Sequence, residues 1–548
     1  MISKELFFVI LFILFWSFHI IRRNFFWLYF WDKRGSRSIR FLNGLRENKG
    51  ILFSKSTIFS LVFILLFPIV IKIDFLFESL IFALFSVFGL YSIYLVLISV
   101  YRRDFRGYFV VPRPKKKTVL LFLFILILEL LFWAVLIFPK ATQGTYQYSL
   151  IFLLVFEIFF PIFFYLAAIF LNFIFSILYL FFGIKAKNKI EEQKKLITIG
   201  ICGSYGKTLT KEFLFQLLSK KYKVLKTEGK EAEIGDIIRT INRKLKKQHN
   251  IFISEISTYK KGEIKRICNI LKPKIGILTG ISEEHVSLFG NIKNIINTKF
   301  ELINCLPEDG VAIFNIDNKE TQKLFQRTNV KKYSYSDSEE KGDIFAKNIE
   351  FLPSKDKIKF TIVTPKGEVE VIFNSPERKN IENFLGAVTC AIEVGMTLAE
   401  IKEATSEIKM PGGFMTHRIG KNGVKIIDDT ASQTPNGFLS AIDYLKRYSG
   451  KKVVIGSSLL ELGRASYSIH NNIGKKMGEI CDLIIITNPL FFKEMKLGVL
   501  SEGMKKNRIL FLRNSRKILK KLEPYLREDN VILLEGDISD KIKKEIIE

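Results

Sequence analysis

The sequence is poor in cysteine and in acidic residues, and it lacks internal repeats and low-complexity tracts. Its five cysteines, at 202, 268, 305, 390 and 481, are scattered without a Cys-x-x-Cys pair. That argues against a zinc ribbon or a disulfide framework and fits a reducing compartment. Asp and Glu number 54 against 83 Lys and Arg, a net charge of +29. So basic a chain meets nucleic acid, an anionic membrane surface or an anionic substrate. No nucleic-acid module is recognisable, so no nucleic-acid partner is expected. What is abundant is apolar: 48% of the 548 residues are hydrophobic and 52 are Phe. A wholly disordered chain is excluded, and the length calls for about three domains. Of the 52 Phe, 35 lie in residues 1–195, so the apolar content is not evenly spread.

The first third reads as a membrane domain. Apolar runs cover residues 6–21, 57–72, 78–100, 118–138 and 149–183, and about 20 residues cross a bilayer as a helix. The first run ends at Arg22-Arg23 with no small-residue cleavage site, so an anchor is preferred to a signal peptide. The last is long enough for one helix or for two spans broken near Pro161. Charge decides between these. Segments 22–56 and 101–117 and the tail after 183 are rich in Lys and Arg, whereas 73–77 and 139–148 carry almost none. The positive-inside rule then gives five spans, an outside N-terminus and a multi-pass protein of the cytoplasmic membrane whose remaining domains are in the cytoplasm. Glu129 and Glu157 fall inside the expected spans. Intramembrane carboxylates are functional candidates by default, but the favoured reading is a carboxyl facing the bundle interior and held by a neighbouring helix.

The remainder opens on a phosphate-type loop. Residues 196–202, LITIGIC, form a short apolar run, followed by Gly203-Ser204-Tyr205-Gly206-Lys207-Thr208 and a helical stretch. Strand, glycine turn, Lys-Thr and helix is the context in which backbone N–H groups cradle phosphates, the lysine reaches the β/γ-phosphates and the threonine ligates Mg²⁺. The full spacing is not met, because Ile201 holds the position of the first glycine. A second strand, Ile251 to Glu255, ends in a carboxylate suited to a metal. A third, in KPKIGILTG (272–280), is followed by His285 at the edge where open α/β sheets take ligands. Further on, KIKFTIVTPKGEVEVIF (357–373) alternates about a Pro-Lys-Gly turn and predicts a hairpin, a helix is expected over 380–395, and Met-Pro-Gly-Gly (410–413) marks a hinge. From 424 onward, five apolar strand runs alternate with helical stretches, as in a small doubly wound, Rossmann-like domain.

GSYGKT, Glu255, ILKPKIGILTGISEEHVSLFGNIKNIINTKFELI, LPEDGVAIFNIDN, Asn380-Ile-Glu-Asn383, His417-Arg418, Asp428-Asp429 and Leu460-Glu461-Leu462-Gly463 with His470 together resemble the Mur ligase family, nearest to its D-alanyl-D-alanine-adding branch. The resemblance covers about 196–548 and implies a P-loop ATP-binding central domain at 185–410 and an α/β C-terminal domain at 411–548, which follow the transmembrane domain read from the apolar runs at 1–184. It implies ATP and Mg²⁺ as cofactors. Gly203, Ser204, Gly206, Lys207 and Thr208 would hold phosphate, and Thr208, Glu255, His285 and a carbamylated Lys299 would ligate magnesium. Asn380 or Asn383 would face adenine, Arg418 would reach the γ-phosphate, and Asp429 would contact the nucleotide. The implied reaction activates a carboxylate as an acyl phosphate and couples it to an amine, with Lys207, His285, Lys299 and Arg418 serving catalysis. Taken alone, Lys299 is more often a solvated helix lysine, Glu255 is as readily a strand-end surface residue until the loop is taken into account, and His470 caps or packs rather than catalyses.

Two departures stand out. Only the linker 184–195 separates the last span from the loop's strand, so the membrane domain stands where the family has a UDP-binding domain. That favours a lipid-linked or membrane-proximal cell-wall precursor. The family's late Lys-Gly-Ser appears as Glu535-Gly536-Asp537, so an amino-acid or peptide amine with extra positive charge, or without a carboxylate, fits better than D-alanyl-D-alanine. The rival readings are an enzyme amidating a lipid-linked precursor, against which the cysteine pattern speaks, and a non-ligase ATP-driven membrane protein, supported only by Glu129 and Glu157.

Overall fold

The computed structural model describes residues 20, 23–31, 116–132 and 146–547, apart from 229–232, 259, 283–288, 339–340, 353–356, 433, 460–461 and 463–464. The apolar runs 57–72 and 78–100, and nearly all of 6–21, lie outside them. The chain forms two units, Met1–Leu178 and Tyr179–Glu548.

The first unit contains a helical stretch at 23–31, helix α1 (Lys116–Phe132) and the greater part of helix α2 (Tyr146–Glu191). Helix α2 runs through Pro161 without a break, so 149–183 is one helix. Within it, Ile158–Glu191 is long and apolar enough to cross a membrane. Phe159, Leu166, Phe173 and Ile177 are exposed along it. Trp27, Trp31, Leu121, Ile125, Phe160 and Phe164 pack together beneath. Glu129 is buried among them. It pairs with Arg23 and accepts a hydrogen bond from Asn24 Nδ2 at 2.7 Å, while the Arg23 guanidinium lies 3.6 Å from the centre of the Phe160 ring. The carboxyl is thus held inside the bundle by a neighbouring helix, as the favoured reading has it. Arg23, which the sequence places among the flanking loop charges, is instead buried as its counter-ion. The side chain of Glu157 lies outside the described residues.

The second unit holds two sheets. The first is built in the order β1 (Ile197–Cys202), α3 (Lys207–Leu218), β2 (Val224–Lys226), α4 (Ile234–Lys244), β3 (Ile251–Glu255), α5 (Glu263–Leu271), β4 (Ile275–Leu278), α6 (Ile292–Asn304), β5 (Val311–Asn315), α7 (Lys319–Arg327), β6 (Lys331–Ser336), β7 (Ile344–Leu352), β8 (Lys357–Thr364), β9 (Gly367–Phe373), α8 (Asn380–Val394) and α9 (Leu398–Glu407). Its strand order is β2-β3-β1-β4-β5-β6-β7-β8-β9. Strands β2 to β7 run parallel, and β8 and β9 form the expected hairpin, with Thr364 opposite Gly367. The central strands read as continuous apolar runs because both faces are covered. Helices α3, α8 and α9 bury Phe213, Phe384 and Ile401 on one face. Helices α4, α5 and α6 cover the other with Ile241, Ile267 and Leu302, joined by Ala186 and Ile190 from the end of α2. Lys189 fixes that end by donating to the carbonyls of Ile241 and Asn242, at 3.0 and 3.1 Å, in the last turns of α4.

The second sheet follows as β10 (Thr416–Ile419), β11 (Lys425–Asp429), α10 (Pro435–Tyr444), β12 (Lys452–Gly456), α11 (Ser466–Ile480), β13 (Leu483–Ile486), α12 (Phe492–Ser501), β14 (Ile509–Phe511), α13 (Ser515–Leu522), β15 (Val531–Glu535) and α14 (Asp540–Ile547). Its order is β10-β11-β15-β12-β13-β14, parallel except for edge strand β10. Helices bury both faces, the doubly wound arrangement expected from the strand runs.

His470 belongs to this packing. It is fully buried, its Nδ1–H donates to the Ser466 carbonyl at 2.6 Å, and its Nε2 accepts from the Leu459 amide at 3.1 Å. Its ring stacks on Phe491 at 4.4 Å. Burial holds its pKa below the usual histidine value. A depressed folded-state pKa contributes stability that is complete above the unfolded value of about 6.5 and is lost as pH falls through the lowered one. Thermal melts are expected to show wild type losing stability below about pH 6.5, with that part of the slope missing in His470→Gln. Equal slopes would place the titration elsewhere.

Candidate nucleotide site

Strand β1 lies between β3 and β4, so the turn after it emerges at the C-terminal edge of the sheet's centre. The turn needs its glycines. Gly206 has φ +78°, and a Cβ there would come within 2.2 Å of Asn383 Oδ1. A Cβ on Gly203 would fall 2.1 Å from Thr279 Oγ1. The loop is seated by the Ser204 amide, which donates to the Gly280 carbonyl at 2.7 Å, and by the Thr279 hydroxyl, which donates to the Tyr205 carbonyl. Ser204 Oγ accepts from the Ser282 amide at 3.1 Å. Helix α3 starts directly after Gly206, so its N-terminal amides and positive dipole end face the loop.

Glu255 stands beside this helix start, because β1 and β3 pair with Ile201 opposite Glu255. It is 1% exposed, so it is no surface residue. The Thr208 hydroxyl reaches both of its oxygens, at 3.0 and 3.1 Å. Lys211, fully buried, places its ammonium 3.0 Å from Oε2. Lys211 is not among the expected site residues: three residues after Thr208 on α3, it meets a carboxylate only because β3 lies beside β1. Lys207 Nζ rests on the Ser204 carbonyl at 3.1 Å, within the loop itself. Thr208 and Glu255 offer hydroxyl and carboxylate oxygens at one point, a donor set that fits Mg²⁺.

The other expected residues fall in several places. Lys299 is buried on α6, contrary to a solvated helix lysine, and its charge acts on Cys202 at the end of β1. His285 and the 460–461 and 463–464 positions lie outside the described residues. Asn383, near the start of α8, lies against Gly206, whereas Asn380 donates from Nδ2 to Ser375 Oγ at 2.9 Å. Arg418 is exposed on edge strand β10, opposite Ile426 of β11. Asp429, at the end of β11, is buried and accepts from the Met415 amide at 3.1 Å.

A further group was not foreseen. Asn315 Nδ2 bridges the Thr279 carbonyl at 3.0 Å and Glu382 Oε2 at 3.1 Å. Burial, and then the Asp337 charge, push the Glu382 carboxyl up to about 7. An Asn closing a buried apolar strand, as in VAIFN, was the available signal.

The fold and loop define a parallel α/β protein with a phosphate-binding-type turn between β1 and α3. Residues 201–391 match the Mur ligase middle domain. The chain is 27% identical over 288 residues to the UDP-N-acetylmuramoyl-tripeptide–D-alanyl-D-alanine ligase of Escherichia coli strain K12, covering 52% of this chain and 63% of that relative. Among solved structures, a crystal structure of MurF from Acinetobacter baumannii superposes with a TM-score of 0.59 at 25% identity, over 66% of this chain and 78% of that one. The MurF ligase of Thermotoga maritima in complex with ADP shares the fold, with a TM-score of 0.58 at 23% identity over 67% and 82% of the two chains.

Proposed function

We propose that this chain is a membrane-anchored, ATP-dependent ligase that joins a carboxylate to an amine in cell-wall peptide synthesis. The observation that carries this reading is the Thr208 hydroxyl on the buried Glu255 carboxylate, beside a glycine loop inside a Mur ligase middle domain. The ADP bound in the Thermotoga relative supports ATP as the nucleotide. The name of the Escherichia coli relative gives a UDP-linked muramoyl tripeptide and a dipeptide amine, so a cell-wall precursor and an amino-acid or peptide amine are the substrate classes proposed here.

In this reading the amides of the loop and of the first turn of α3 take up the phosphates. Lys207 moves from the Ser204 carbonyl to the β/γ-phosphate oxygens. Thr208 and Glu255 would hold Mg²⁺, with His285 and a carbamylated Lys299 as further ligands; the burial of Lys299 supports the carbamate. When bound, Mg²⁺ supplies charge neutralisation at the transferring phosphoryl group. Asn383 and Gly206 border the nucleotide, and Arg418 closes from the second sheet onto the γ-phosphate. A carboxylate that accepts this phosphoryl group becomes an acyl phosphate, which the amine attacks to give the amide and release phosphate.

The membrane part is proposed on the apolar runs of the first third and on the spanning length of α2. Helix α2 ends at Glu191 and the six-residue strand β1 begins at Ile197, so one short strand separates the loop from the end of that helix. This favours an acyl donor held at the cytoplasmic membrane surface. ADP release by the detergent-solubilised full chain tests the reading. It is expected to require both a muropeptide carboxylate and an amine, with lipid-linked muropeptides preferred to UDP-linked ones. ATP hydrolysis without amide formation would overturn the ligase reading, and tight, saturable binding of the UDP-linked substrate would overturn the lipid preference.

A further inference from the structure

Carboxylates crowd where the second sheet meets the loop before α8. Asp429 and Glu535 are the last residues of β11 and β15 and are register partners in these parallel strands, so their side chains leave the same face. Asp429 is 3% exposed and Glu535 fully buried. No donor among the described residues reaches either Glu535 oxygen. The neighbour on that face is the Asp429 carboxyl, and burial raises both carboxyls well above the usual carboxylate range.

The surroundings deepen the imbalance. The other charges acting on both groups are Glu377, which precedes α8, and Asp428, all negative. Lys543 of α14 is engaged with Asp428 at 3.5 Å and with the Thr430 hydroxyl. Lys379, Arg447 and His417 act on Glu377. Burying carboxylates without a cation is costly. Strand β15 is central, between β11 and β12, and the pair ends it at the C-terminal edge, where parallel sheets take ligands.

We propose that Asp429, in place of the nucleotide contact that the resemblance implies for it, forms with Glu535 a subsite for a positively charged ammonium group on the amine substrate. This rests on the ligase reading and narrows it: the acyl acceptor is a diamine or an amino acid with a basic side chain. A primary ammonium has three N–H donors and no acceptor, the complement of two carboxylates with one backbone donor between them. A metal is a poorer occupant. Among the described residues, the three carboxylates whose oxygens converge within 4.8 Å are Asp317, Asp337 and Glu382, at another place in the unit. A proton held by these raised carboxyls leaves to solvent on binding, so affinity rises with pH until the amine itself deprotonates near 10.4.

The test is calorimetric titration of the detergent-solubilised full chain at pH 8 with cadaverine, pentan-1-ol, D-alanyl-D-alanine and Mg²⁺, alongside ADP. Saturable cadaverine binding is expected, with none for pentan-1-ol, and it should weaken at least tenfold in both Glu535→Gln and Asp429→Asn. The Gln amide can donate to Asp429, so Glu535→Gln is expected to melt at or above the wild-type temperature at pH 8, which separates lost binding from lost fold. Absent cadaverine binding, equal binding by wild type and Glu535→Gln, or displacement of cadaverine by Mg²⁺ would overturn the subsite. Cadaverine binding without ADP binding would instead remove the ligase reading and leave the ammonium subsite standing.

Discussion

Lys211→Met is expected to cost about 3–5 kcal/mol of stability, the usual effect of removing one partner from a buried ion pair. Lys211 is fully buried and Glu255 is 1% exposed, with 3.0 Å between ammonium and carboxylate. Without the ammonium, the carboxylate must stay charged in a low dielectric or take up a proton. Thermal unfolding of the full chain measures the loss. The double variant Lys211→Met/Glu255→Gln is expected to recover much of it, since no uncompensated charge remains. Mg²⁺ should raise the melting temperature of Lys211→Met more than that of wild type, because an ion bound at Thr208 and Glu255 would replace the missing charge. A Lys211→Met protein as stable as wild type would show that the pair carries no weight.

Lys207→Ala is expected to do the opposite, losing activity and keeping stability. Its ammonium bonds the Ser204 carbonyl within the loop rather than a buried carboxylate, so the fold does not depend on it. Removing a group that stabilises charge at the reacting centre lowers turnover by roughly 10²–10³-fold. ADP release should therefore fall by that factor while the thermal midpoint stays near wild type. Lys207 and Lys211 are one turn apart on α3, and these two outcomes assign them different work: one waits for phosphate and the other neutralises the protein's own carboxylate. A melting temperature that fell with Lys207→Ala, or activity that survived it, would reverse the assignment.

Much of this was legible in order along the chain. The apolar β-branched runs LITIGIC and IFISE specify buried strands, and Gly203 and Gly206 specify a turn in which side chains would collide with Thr279 and Asn383. Glu255 was legible as a strand-end carboxylate near a Lys-Thr helix start. Lys211 was not, because a lysine in a helix is ordinarily solvated, and only the placement of β3 beside β1 puts a carboxylate within its reach. Arg23 was legible only as a flanking charge for the same reason, since its partner Glu129 lies 106 residues away.

The sequence alone determines the alternation of strands and helices, the concentration of apolar residues in the first third, and the glycine loop with its Lys-Thr. These are local properties, set by hydrophobic period and backbone freedom. Tertiary structure decides which charges meet. The strand order β3-β1-β4 brings Thr208, Lys211 and Glu255 to one point, and β11-β15-β12 sets Asp429 against Glu535 across 106 residues of chain, with Glu377 added from the first sheet's side. Charges acquire their chemical character from burial and from the partner they face, and both are products of long-range register that no local pattern encodes.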